Sequence, residues 1–194
     1  LTAGSHAIKW EYSKDGSVNS LSDAAWVDKV EFIPAGGGST NFTPALETGF
    51  NLLGNSLNTT LDVMSIFGNQ TSPVSGVSNN IASVWKWDAA NGNWQFHSPL
   101  LSTSANASFA ASKGYAVLTS IVPGEGYWVN ALSAFSLPVQ SGTAFTYNGV
   151  NFATLISGFN LIATATTATP SQFNISVSAT PPSPGVVPVD NFYS

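Results

Sequence analysis

The segment Val84-Trp85-Lys86-Trp87-Asp88, followed by Ala89-Ala90-Asn91-Gly92 and then Asn93-Trp94-Gln95-Phe96, leaves this chain little choice of local structure. Apolar and polar residues alternate on both sides of an Asn-Gly pair, and Asn-Gly supplies the positive-φ turn that closes a β-hairpin. A period of two places Trp85 and Trp87 on one face. Trp94 and Phe96 share that face and form a cross-strand aromatic cluster with them. Lys86 and Asp88 then point the other way, where exposure is predicted.

The same pattern recurs along the chain. Turn signals about every ten residues separate runs rich in Val, Ile, Phe, Tyr, Trp and Thr, which is the spacing of a sandwich or barrel. The sequence therefore predicts an all-β or β-dominated fold of antiparallel sandwich or barrel-like sheets with one or two short helices. Thr60 can cap a helix over 61–67, with Asp62 in its first turn and Gly68 just past its end. Ser104 or Asn106 can start a second helix that runs through Phe109 to Ser112 and ends at Lys113 and Gly114.

Five segments follow. Residues 1–34 read as an antiparallel strand pair, with Ile8, Trp10 and Tyr12 on one face and Trp26, Val30 and Phe32 along the second strand. Residues 35–44 contain Gly36-Gly37-Gly38 and read as a flexible linker. Residues 45–157 form a β-rich domain. Its strand Thr48-Gly49-Phe50-Asn51-Leu52-Leu53 recurs as Ser157-Gly158-Phe159-Asn160-Leu161-Ile162, an offset of 109 residues. The register persists downstream, with Thr60 on Thr169, Met64 on Phe173 and Ile66 on Ile175, so residues 158–180 read as the start of a second copy. Residues 181–194 comprise a proline-stiffened stretch and a terminal strand carrying Val187, Val189 and Phe192. Because the chain begins at Leu1, without Met or a signal peptide, a processed product or a fragment is expected.

Composition removes several functions. Only 8% of the 194 residues are charged, the formal net charge is −5, and all five basic residues are scattered lysines. Nucleic-acid binding draws on clustered Lys and Arg, so no nucleic-acid partner is expected. No apolar run approaches the ~18 residues of a spanning helix, so no membrane span is expected. The absence of cysteine removes disulfides, thiol nucleophiles and thiolate metal sites. His6 and His97 lack an i, i+4 partner, and Asp15, Asp23 and Asp28 match no calcium-loop spacing, so neither a metal nor another cofactor is expected. Asp88 and Glu125 could pair as acid and base, but no motif selects them among ten carboxylates, and no catalytic residue is assigned.

Two resemblances bear on function. Residues 3–33, with Ala24-Ala25-Trp26-Val27-Asp28, resemble the closing strands of concanavalin-A-like or MAM-like jelly rolls of large secreted bacterial proteins. Residues 48–165 resemble a repeat of Gram-negative surface and secreted proteins, through the Gly49-Phe50-Asn51-Leu52 strand, the Trp85-Lys86-Trp87-Asp88 hairpin and Gly124-Glu125-Gly126-Tyr127-Trp128-Val129. They imply a location outside the cell or on its surface, and neither implies catalysis.

The expectation is a non-catalytic extracellular module serving structure or adhesion, and a candidate filament subunit assembling by strand exchange. Its partners would be other copies of itself or neighbouring surface proteins. Assembly would use Ile8, Trp10, Tyr12, Trp26, Val30, Phe32, Val187, Val189 and Phe192. The alternative is a carbohydrate-binding module that stacks a polysaccharide on Trp85, Trp87, Trp94, Tyr127 and Trp128. Burial decides between a stacking platform and a core built from the same rings.

Overall fold

In the computed structural model of the chain, residues 40–164 together with Phe173 are described. An outward path carries β1 (Thr40–Phe42), β2 (Ala45–Leu46), β3 (Gly49–Gly54) and β4 (Leu61–Asp62). A middle excursion holds α1 (Val63–Phe67), β5 (Ile81–Asp88), β6 (Asn93–His97), α2 (Thr103–Ser112) and β7 (Ala116–Val117). The return path carries β8 (Ser120–Ile121), β9 (Gly126–Ala131), β10 (Phe135–Ser136) and β11 (Gln140–Gly142), and the one-turn α3 (Gly149–Phe152) follows. The fold is β-dominated with short helices, as the turn spacing predicts.

The two paths pair antiparallel in nested order: Thr40 opposite Gly142, Ala45 opposite Ser136, Gly49 opposite Ala131 and Leu61 opposite Ile121. The linker expected over 35–44 therefore gives way at Thr40 to a paired strand. The excursion completes a five-stranded sheet in the order β3-β9-β5-β6-β7. All its pairs are antiparallel except β6 with β7, and α2 provides the crossover that a parallel pair requires.

Alternation along the strands divides the sheet into two faces. Leu53, Val84, Tyr127, Val129 and Ala131 point inward and pack with Val63 and Phe67 of α1 and with Ile121, Leu118, Leu46 and Leu137 in one cluster. Each of the Val, Leu, Ile and Phe side chains contributes about 1.5–3 kcal/mol through burial. Phe50, Leu52, Trp85, Trp87, Trp94, Phe96 and Trp128 lie on the outer face.

Both predicted helices form, with different caps. Thr60 cannot cap α1, because Leu61 and Asp62 are held as a strand against β8; Asp62 accepts from the Ser65 N–H at 2.7 Å instead. The Ser65 side chain, and after it this N–H, hold the Asp62 carboxyl below its usual range. α2 starts earlier than expected, capped by Ser102, whose hydroxyl accepts from the Ala105 N–H. Asn106 lies inside α2 and takes the Ser98 N–H at 2.8 Å, tying the helix to the end of β6.

His97 closes β6 on the inner face, 4% exposed, with Nε2 at 2.8 Å from the Gly68 carbonyl. The carbonyl only accepts, so the neutral ring carries its proton on Nε2. Burial lowers its pKa below 6.5, and the Gly68 bond offsets part of that shift. The unfolded chain therefore takes up a proton near pH 6.5 that the folded chain refuses, and stability falls as the pH drops through 6.5 toward the depressed folded value. Urea midpoints between pH 7.5 and 5 should decline in the wild type and stay flatter in His97→Gln. Asp62 and Asp88, both depressed below 3.8, act only at lower pH.

Candidate functional site

The register of β6, β5 and β9 assembles a row of rings on the outer face. Trp85 stands opposite Phe96 on one side and Trp128 on the other, and Trp87 stands opposite Trp94. Ring centroids are 4.7 Å apart for Trp85 and Phe96 and 5.5 Å for Trp87 and Trp94. Tyr115, between α2 and β7, meets Trp85 nearly perpendicularly at 5.1 Å, and Phe109 of α2 covers Phe96 at 4.8 Å. On the far side Phe50 of β3 meets Trp128 edge-on at 6.5 Å.

Between these groups runs an open groove of about 420 Å³ lined by Phe50, Trp85, Trp94, Tyr115 and Trp128. None of its lining residues is charged. The Trp85 indole N–H is engaged by Ser83 Oγ at 2.8 Å, which fixes that ring as the floor. Trp94 Nε1, Trp128 Nε1 and Tyr115 Oη make no hydrogen bond to protein among the described residues. The groove thus offers flat apolar faces with directional polar groups among them.

Three of the five residues expected to stack a sugar line the groove: Trp85, Trp94 and Trp128. Trp87 lies beside it, in contact with Phe159 at 6.0 Å and with its N–H on the Phe159 carbonyl at 2.9 Å. Tyr127 is a correction. Adjacent residues of a strand face opposite ways, so the exposure of Trp128 sends Tyr127 into the core, 0% exposed and edge-on to Phe67. Burial there pushes its hydroxyl pKa far above 10. Phe50 and Tyr115 were not anticipated; with Leu53 inward, alternation along β3 turns Phe50 outward, whereas nothing local marks Tyr115. Ile8, Trp10, Tyr12, Trp26, Val30, Phe32, Val187, Val189 and Phe192 lie outside the described residues.

The opposite face corrects a further expectation. Lys86 is not exposed but 7% accessible, and its Nζ donates to both Glu125 oxygens at 3.0 and 2.8 Å. Glu125, weighed in the sequence only as a carboxylate that could pair with Asp88, also accepts the Val122 N–H at 2.8 Å. The pair ties β5 to the start of β9 beneath the groove. Asp88 accepts from Ala90 N, Asn91 N, Asn91 Nδ2 and Gln95 Nε2, closing the hairpin turn. The Asn91 side chain is the main reason its carboxyl stays ionised below the usual range.

Among the described residues, no three His, Cys, Asp or Glu side chains cluster to hold a metal. The chain matches no family model, no curated protein and no solved structure. Its function is therefore argued from the groove.

Removing one member of a buried ion pair strands the other charge, whereas replacing both does not. Glu125→Leu should destabilise the domain by about 2–3 kcal/mol, below the fully buried range because the Glu125 side chain is 28% exposed. The double variant Lys86→Met/Glu125→Leu should recover most of that loss in urea unfolding.

Proposed function

We propose that this chain is a non-catalytic extracellular adhesive module that holds an uncharged polysaccharide in the aromatic groove. The observation that carries the reading is the five-ring lining of an open groove in which two indole N–H groups and a phenol hydroxyl have no partner among the described residues. Pyranose rings present CH faces that stack on indoles and equatorial hydroxyls that take directional hydrogen bonds at the rim. The uncharged lining and the net charge of −5 disfavour an anionic polymer, which the chain's field would repel. The resemblance of the Gly49, Trp85 and Gly124 motifs to surface-protein repeats supports the extracellular setting.

Two observations support a non-catalytic role. Glu125 is bound to Lys86, and Asp88 is bound into its own hairpin turn. Both lie away from the groove lining, so the carboxylates weighed for hydrolysis do not reach a ligand held there.

Phe50 separates binding from folding, because it lines the groove while 56% exposed. Phe50→Ala should leave the unfolding free energy within about 0.5 kcal/mol of wild type, since it creates no buried cavity. Its retention in affinity gels containing neutral polysaccharides should drop. Trp85→Ala, which removes the floor, should cost about 3–5 kcal/mol as well as retention. Equal mobility of wild type and Phe50→Ala across neutral glucans, mannans, xylans and galactans would refute the reading.

A further inference from the structure

Residues 158–163 repeat the sequence of β3 and also its local geometry. Gly49 and Gly158, each opening its copy, have φ of 98° and 108°, a region that L side chains rarely adopt. Asn51 Nδ2 donates to the carbonyls of Glu47 and Gly49 at 2.8 and 3.0 Å. Asn160 Nδ2 donates to those of Ile156 and Gly158 at 2.7 and 3.0 Å. In both copies the asparagine fastens the bend before the strand to the strand itself.

The second copy is docked. β5 leaves β9 after the pairing of Trp85 with Trp128, and residues 161–163 occupy the edge this frees. Gly126 N donates to Leu161 O at 2.9 Å, Ala163 N donates to Gly124 O at 2.8 Å, and Glu125 bridges Ile162 antiparallel. Trp87 clamps the upstream end through Phe159. The acceptor has a shaped floor: a Cβ on Gly126 would lie 2.7 Å from Leu161 Cγ, and one on Gly54 would lie 2.2 Å from Ala163 Cβ. Both positions therefore require glycine while the segment is seated.

We propose that the opening of β9 is a strand-acceptor site for a Gly-Phe-Asn-Leu segment, and that its partner is the leading strand of a second copy of this domain. A strand has two edges, and β3 is an edge strand paired only with β9 in the five-stranded sheet. The leading strand of one copy can thus pair with its own β9 while its other edge joins the β9 opening of a preceding copy, as in β-strand addition. Successive copies would be joined by a shared strand with a fixed register instead of a free tether. This inference is independent of the glycan reading.

The test uses the full chain and a synthetic peptide of residues 157–164. Leu161→Asp should unseat the chain's own segment, moving the Trp87 indole N–H resonance and the amides of residues 124–126. Phe159→Ser is a milder second variant, since Phe159 is 58% exposed. About 1 mM peptide, a level suited to the weak affinity of one short strand, should return at least half of the displaced signals. A peptide of the same composition in scrambled order should return none. No recovery in either variant, or equal recovery with the scrambled peptide, would overturn the proposal.

Discussion

The pairing of Trp85 with Phe96 on one side and Trp128 on the other fixes most of what is distinctive about this domain. It commits the outer face of the five-stranded sheet to aromatic rings while the inner face is filled by Val84, Val129, Ile81 and Tyr127. A sheet with two apolar faces must be covered on both. Here α1 and the outward and return paths cover the inner face. α2, Tyr115 and Phe159 cover only parts of the outer one, and the gap between them is the groove. The groove is thus a contiguous apolar depression left open on the surface, lined by Phe50, Trp85, Trp94, Tyr115 and Trp128.

The low charge content is compatible with this arrangement because buried polar contacts are made by amides and hydroxyls. Asn55, fully buried, donates to the carbonyls of Thr59 and Ile121 and accepts the Leu57 N–H. Asn69 accepts from Thr71 and Ser72 and donates to Thr103, and Ser78 Oγ bridges Phe67 O and Val74 N. Each satisfies backbone groups that a loop would otherwise bury unpaired. These loops are thereby held by neutral bonds, which escape the desolvation cost of charges.

The hairpin and its ring row were legible because period two and an Asn-Gly turn are local signals. The strand character of 49–54 and 126–131 was legible for the same reason. The opposite orientations of Tyr127 and Trp128 were also implicit in that period, since neighbours in a strand cannot both face a ligand. Long-range pairing hid the rest. Lys86 meets a carboxylate 39 residues away, Thr40 finds Gly142, and the pairing of Leu61 with Ile121 moves a helix cap from Thr60 to Asp62. Tyr115 reaches the groove only because α2 returns the chain parallel to β6.

The most direct measurement is a titration of the full ¹⁵N-labelled chain with soluble neutral hexasaccharides, observed at the indole N–H resonances. Trp94 and Trp128, whose N–H groups have no protein partner among the described residues, should shift with saturation. Trp87, whose N–H is held by Phe159 O at 2.9 Å beside the groove, should stay near its free position. Unmoved Trp94 and Trp128 signals across gluco-, manno-, xylo- and galacto-oligosaccharides would contradict the account.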